Sequence, residues 1–297
     1  MNPVACALNE PIARRRVVWT AGGAALLLGL TPVVALAQLR HGDEAYQPEV
    51  GQPGKDVVWV PTPDEVVQAM LDMAKVTQKD YVVDLGSGDG KIAIAAARRG
   101  ARALGIEYNP DLVALSRRNA QRAGVKNVTF MQGDIFESDF RDADVITLYL
   151  LPSLNEKLRP ILLEMKPGTR VTSHQFDMGD WPPDEVRELD GRRALFWVVP
   201  AKVAGDWSVQ VGSGTMGETL KLSLSQTYQK IQGRMIWGGR EAPLDQPELR
   251  GGAIRFTAVD GQGRRHRFEG RAGHDGRMSG TVIDPSGQRR PFSATRS

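Results

Sequence analysis

Apolar positions change their rhythm twice along this chain. Between residues 57 and 185, short runs that are apolar throughout alternate with segments whose apolar positions recur every three or four residues. Residues 81–85, 103–107, 127–131, 144–150 and 169–174 are the short runs, the pattern of strands buried on both faces. Residues 91–99, 110–122 and 153–165 have the helical period, with Asn109 as a cap and Pro110 opening the second of them. An earlier helix is predicted after Thr62, where Thr62 caps, Pro63 takes the first position and Glu65 completes a capping box. Val66, Val67, Met70, Leu71 and Ala74 form its apolar face. Strands separated by helices imply right-handed crossovers and a doubly wound, mostly parallel sheet covered on both faces.

From about residue 201 the period becomes two. Leu220/Leu222/Leu224, Ile254/Phe256, His266/Phe268 and Met278/Thr281/Ile283 are separated by glycine-containing turns. Half of the 32 glycines fall in residues 201–297. This predicts six or seven strands in a small all-β barrel or sandwich.

The first forty residues have neither rhythm. Arg14, Arg15 and Arg16 precede an uncharged run over residues 17–39, most apolar at 24–30, followed by Ala35-Leu36-Ala37. That order reads as a secretory signal peptide cleaved after Ala37, and the adjacent arginines permit a twin-arginine type. An uncleaved membrane anchor and a cytoplasmic chain are the alternatives. Residues 41–55 are polar and contain Gly and Pro, so they read as linker. The resulting organisation is a signal peptide over 1–37, a linker over 38–56, an α/β domain over 57–200 and a β domain over 201–297.

Composition adds exclusions. With 41% hydrophobic and 25% charged residues among 297, neither wholesale disorder nor a polytopic membrane protein is expected. Cys6 is the single cysteine, which rules out an intrachain disulfide and a cysteine zinc site. The four histidines, at 41, 174, 266 and 274, have no metal-ligand spacing, so no metal is expected. The net charge of +3 conceals a division: residues 41–190 carry −8 and residues 191–297 carry +8. His266 lies among Arg264, Arg265 and Arg267, a cluster that suits either an anionic surface or a solvated strand face.

The chemistry concentrates in Val82-Val83-Asp84-Leu85-Gly86-Ser87-Gly88-Asp89-Gly90. A buried strand ends in a glycine turn that opens a helix, so backbone approaches a ligand at the carboxyl end of the sheet. The dinucleotide fingerprint needs glycine at 91, where this chain has Lys91. Asp84 and Asp89 in the turn suit a cationic ligand without phosphate, and S-adenosylmethionine has that chemistry. Glu107 closes the second strand, where a carboxylate accepts both ribose hydroxyls. Asp134 follows the third strand, placed to accept the adenine amino group, with Ile135 packing on the ring.

VVDLGSGDGKIAIAA, GIEYNPDLV and QGDI resemble the motifs of class I, Rossmann-like methyltransferases that use S-adenosylmethionine. VPTP, the NPDLVALSRRNA helix and TLYLLPSLNEKLRP narrow the resemblance. They are similar to the lysine methyltransferases of the adenine nucleotide translocase and the ATP synthase c-subunit, with their bacterial relatives. The resemblance covers residues 57–185. It implies that Asp84, Gly86, Gly88 and Asp89 line the methionine half of the cofactor, with Ser87, Gly90 and Asn109 completing its site. It further implies an acceptor pocket at Tyr149, Leu150, Leu151 and Pro152, and a segment containing Pro61 that closes over the cofactor. Tyr149 is the candidate for orienting the acceptor amine, and His174 and Asp177 for lining the pocket or accepting a proton. The function so implied is methyl transfer to a lysine of a protein, membrane-associated proteins included, with no nucleic-acid partner. Methylation of a small molecule or lipid, and cofactor binding without turnover, are the competing readings.

Overall fold

The computed structural model describes residues 42–212, 217–273 and 275–297. The signal-peptide reading falls outside the described residues. Among those described, no helix is long and apolar enough to cross a membrane.

Five parallel strands carry the first sheet: β1 (Tyr81–Leu85), β2 (Arg102–Glu107), β3 (Val128–Gln132), β4 (Val145–Leu148) and β5 (Arg170–His174). Helices α2 (Lys91–Arg98), α3 (Pro110–Arg122) and α4 (Pro152–Leu163) follow β1, β2 and β4, and α1 (Asp64–Met73) precedes β1. The strand order is β3-β2-β1-β4-β5-β7-β6, so the order reverses between β1 and β4. Crossovers diverge there, which opens a crevice at the carboxyl ends of these strands. The central strands are apolar because helices cover them on both sides: Val82, Val83, Val145, Ile146 and Val171 have no exposed surface.

The far edge of this sheet differs from a purely parallel pattern. β6 (Glu185–Leu189) and β7 (Arg192–Val198) form a hairpin, and β7 runs antiparallel to β5. Its turn is Asp190-Gly191, both at positive φ (44° and 75°), the geometry that matches strand twist.

At α3 the capping expectation meets the structure: Asn109 Oδ1 accepts from the amides of Asp111 and Leu112. At α1 it does not. The cap is Pro63, and no side chain caps the helix. Thr62 is buried, and its hydroxyl lies 3.2 Å from His174 Nδ1 instead. The helix begins one residue late for a capping box, because Thr62 is recruited across 112 residues to a partner in β5.

The second sheet has nine strands rather than six or seven: β8 (Gly205–Val211), β9 (Glu218–Thr227), β10 (Lys230–Trp237), β11 (Arg240–Pro243), β12 (Asp245–Arg250), β13 (Ala253–Val259), β14 (Arg265–Ala272), β15 (Arg277–Ile283) and β16 (Arg289–Arg296). All pair antiparallel in the order β11-β10-β9-β8-β16-β15-β14-β13-β12, a nearly closed barrel. Trp207, Trp237, Phe256, Phe268 and Phe292 fill its interior. On β15 the inward face is Met278 and Val282, with Thr281 and Ile283 only half-buried. Gly280 stands between the two inward residues, where a Cβ would lie 2.1 Å from Glu269 O and 2.5 Å from Gly270 Cα of the neighbouring strand, and 2.8 Å from the Phe292 ring. His266 also points inward. It is 2% exposed, its Nε2 is 2.9 Å from Asp260 Oδ2, and its ring lies 4.3 Å from that of Trp237. Arg264, Arg265 and Arg267 pair with Asp260, Asp245 and Glu269.

Candidate functional site

A cleft of about 970 Å³, its open mouth included, lies at the switch point. Its floor is the turn after β1. Gly86, Gly88 and Gly90 all have positive φ (76°, 53° and 83°), and the last of them caps α2. A Cβ at Gly88 would meet Trp59 Nε1 at 2.8 Å. Gly105 in β2 is needed for a second reason: its Cβ would stand 2.6 Å from Ser87 Oγ and 2.5 Å from the Phe130 ring.

Acidic groups line this end. Asp84 is 2% exposed; its Oδ1 accepts from the Thr147 hydroxyl at 2.6 Å, and its Oδ2 has no partner. Burial pushes the carboxyl up to about 7; the Thr147 hydrogen bond opposes this, while the charges of Asp89 and Glu107 add to it. Ser87 Oγ is also buried without a partner. Glu107 accepts from Gly88 N and Asn109 N, both at 2.9 Å, which fixes the carboxylate and leaves lone pairs open. Asp134 accepts from Phe136 N at 2.9 Å and pairs with Lys55, contacts that hold it below the usual carboxylate range. Lys91, at the same end, pairs with Asp64. Buried acceptors without partners, a fixed carboxylate at the end of β2 and close backbone approach fit a cationic nucleoside such as S-adenosylmethionine. Asp84, Gly86, Ser87, Gly88, Asp89, Glu107, Asn109, Asp134 and Ile135 all line the cleft. Gly90 serves from behind, under Phe130 and Ser116.

Residues 42–62, which by composition are mostly linker, lie against this domain. Asp43 pairs with Arg118 of α3 at 2.6 Å, and Trp59 packs on Leu112 and Leu115. Residues 52–62 form one wall of the cleft, which brings Lys55 and Trp59 into the site. Sequence reasoning misses both; the available signal is the apolar run Val57-Val58-Trp59-Val60 directly after a polar stretch.

The other end of the cleft is aromatic. Pro61, Thr62, Tyr149, Leu150 and Leu154 line it. The His174 ring is 3.9 Å from that of Tyr149, and Phe176 stacks on the same tyrosine at 6.4 Å. Burial pushes His174 down to about 4, and the Arg192 charge acts in the same direction, so the imidazole is neutral near pH 7. Burial raises Tyr149 above the ordinary phenol range. Between the two flanking rings, Gln175 has φ +69°, and Phe176 N donates to His174 O at 2.8 Å. A tight turn of this kind is strained for a residue with a side chain, and its neighbours hold it. Arg193 of β7 donates to Gln175 O at 2.8 Å, and Gln175 Oε1 accepts from Arg193 N at 3.1 Å.

Besides Gly90 and His174, which stand behind the lining, Leu151, Pro152 and Asp177 lie apart from it. Leu151 and Pro152 are exposed at the start of α4, and Leu154, further round the helix, faces the cleft instead. Asp177 Oδ1 accepts from Gly179 N at 3.2 Å, within its own turn.

Comparison with known proteins bears on this geometry. A family model described as the ANTKMT methyltransferase domain matches residues 84–185. A protein-lysine N-methyltransferase of Saccharolobus islandicus (strain REY15A) is 44% identical over 138 residues, covering 45% of this chain and 86% of its own length. The lysine N-methyltransferase of the ATP synthase c-subunit in Mus musculus is 36% identical over 133 residues, covering 43% of this chain. The chain spans about half of that mouse relative, 52%. A solved RNA methyltransferase from Salinibacter ruber, in complex with S-adenosyl-L-homocysteine, is 55% identical, covers 48% of this chain and 96% of its own, and has a TM-score of 0.48.

Proposed function

The chain belongs to the S-adenosylmethionine-dependent methyltransferases of the ANTKMT-domain family, and from that premise we propose that it methylates a lysine amine of a protein. The observation that carries the lysine reading is the aromatic end of the cleft. Pro61, Thr62, Tyr149 and Leu150 present no charge there, and the adjoining His174 is held neutral. S-adenosylmethionine, which Asp84, Glu107 and Asp134 would hold, would supply an electrophilic methyl group for in-line transfer to the amine. A free lysine near pKa 10.4 must lose its proton first, at a cost of about 4.6 kcal/mol at pH 7. An uncharged, partly buried wall lowers that cost, because burial disfavours the ammonium. Tyr149 orients the amine by hydrogen bond, with His174 fixing the tyrosine from behind. The two lysine methyltransferase relatives support a protein acceptor, and export through residues 1–37 is the accompanying reading of location.

The test uses labelled S-adenosylmethionine with the full chain and three acceptors: polylysine, a membrane-protein extract and total RNA. Label recovered as methyllysine, and lost in Tyr149→Phe while calorimetric cofactor binding persists, is the expected result. Label in RNA alone, or in extracted lipid alone, overturns the lysine reading. Amino-terminal sequencing addresses location: a secreted chain starting at Gln38 is expected, and a chain retaining Met1 overturns it.

A further inference from the structure

The barrel reaches the acceptor end of the first domain through the turn between β9 and β10. Tyr228, at the tip of that turn, has φ +56°, a conformation that such turns normally assign to Gly, Asn or Asp. Strain at a residue with a large side chain persists only where surroundings enforce it. Here the ring stacks on fully buried Trp181, centroids 6.2 Å and planes 20° apart, and joins the core of the first sheet. The Arg159 guanidinium lies 6.0 Å from the same ring. Gln229 adds three hydrogen bonds. Its Oε1 accepts from Trp181 Nε1 at 3.1 Å, and its Nε2 donates to Pro182 O at 2.8 Å and to Asp184 Oδ1 at 3.3 Å. Trp181 O in turn accepts from Trp197 Nε1 at 3.0 Å.

The other side of the same loop is held by α4 and β5. Asn155 Nδ2 donates to Phe176 O and Asp177 O at 3.2 and 3.0 Å, and Arg159 Nη1 donates to Met178 O at 2.7 Å and pairs with Asp180. The Ser173 hydroxyl donates to Phe176 O at 2.7 Å. The loop over residues 175–181 is therefore clamped between α4 and the barrel turn. Its first residues hold the rings of His174 and Phe176 against Tyr149.

We propose that the barrel is a positioning domain for methyl transfer: Tyr228 and Gln229 hold residues 175–181, and through them the aromatic wall beside Tyr149. This rests on the acceptor being taken up beside Tyr149. Neither residue touches the reacting atoms. Their effect is on the geometry of the wall, where small displacements cost rate rather than cofactor affinity.

Amide hydrogen exchange on the full chain tests this without knowing the acceptor. In Tyr228→Ala, and separately in Gln229→Ala, amides of residues 175–181 are expected to exchange about tenfold faster, while those of residues 84–91 are unchanged. Tyr228→Phe, which keeps the ring stack on Trp181 but loses the hydroxyl's contact with Asp180, exchanges more slowly than Tyr228→Ala. With polylysine as acceptor, Tyr228→Ala lowers kcat about tenfold with calorimetric S-adenosylmethionine affinity within about twofold of wild type. Unchanged exchange at 175–181 in both alanine variants overturns the proposal, as does loosening of 84–91 to the same extent in both, or a loosened loop with wild-type kcat. A wild-type chain that labels no lysine would overturn the lysine reading, whereas the exchange pattern decides the clamp by itself.

Discussion

The two ends of the cleft are built in different ways. The cofactor end is a local construction: Asp84, Gly86, Ser87, Gly88 and Asp89 lie within six consecutive residues, and Glu107 and Asp134 each stand just at or past a strand end. The acceptor end is assembled from afar. Thr62 precedes α1, Tyr149 follows β4, and His174 closes β5, while Asn155, Arg193 and Tyr228 support it from α4, β7 and the barrel. A site for one shared cofactor can be carried by a short motif. A pocket for a particular acceptor is a product of the whole fold, so no short motif carries it.

That contrast can be broken by substitution. Gly88→Val should have the largest effect, because it adds a side chain at positive φ against Trp59. About 100-fold weaker cofactor binding is expected by calorimetry, since such strain alone amounts to about 1–3 kcal/mol; near-normal affinity would show that the turn does not define the cofactor end. Glu107→Ala leaves the amides of Gly88 and Asn109 without their acceptor and removes the carboxylate expected to accept the ribose hydroxyls. A loss of about 2 kcal/mol, or about 30-fold in affinity, is expected, and a variant that binds normally refutes the ribose assignment. Tyr149→Phe acts at the other end: kcat should fall about tenfold with cofactor affinity unchanged. If affinity falls instead, the two ends are not separable.

The smallest effect is a pair of opposite pH dependences in the cofactor-free protein. His174 has its pKa lowered from 6.5 to about 4, so the unfolded chain binds the extra proton between these values. Its contribution is present above about 6.5 and lost as pH falls towards 4. Asp84 is raised from 3.8 to about 7, so the folded chain binds the extra proton. Its contribution is present below about 4 and lost as pH rises to about 7. Urea unfolding between pH 4 and 7.5 should show His174→Gln removing the first dependence and Asp84→Asn removing the second. Neither slope can exceed about 1.4 kcal/mol per pH unit for one group.

Much of the first domain is legible because βα alternation leaves a period that can be read. Strands over residues 81–174 fall within one residue of their predicted bounds, apart from β4, which stops at Leu148, two residues short of 150. The β6–β7 hairpin escapes such reading although Asp190-Gly191 announces its turn, because an antiparallel edge does not follow from the crossover pattern. Thr62 misleads for a related reason. Its local role as a cap competes with a partner in β5, and burial favours the partner. In the barrel, alternation identifies the strand class but not the number of strands. Glycine at 280 interrupts the apolar alternation of β15, which hides that Met278 and Val282 share one face. His266, surrounded by arginines in sequence, is an interior residue bound to Asp260.

By itself, then, the sequence determined the elements of the α/β domain, the glycine turn after β1 and the acidic character of the cofactor end. Those depend on neighbours within a few residues, where backbone sterics and side-chain period leave little choice. Only the tertiary structure decided that residues 52–62 wall the cleft, that His174 and Phe176 flank Tyr149, and that a strained tyrosine on the barrel bears on Trp181. Such contacts join residues far apart in the chain. Their stability comes from burial shared among distant segments, which no local pattern encodes.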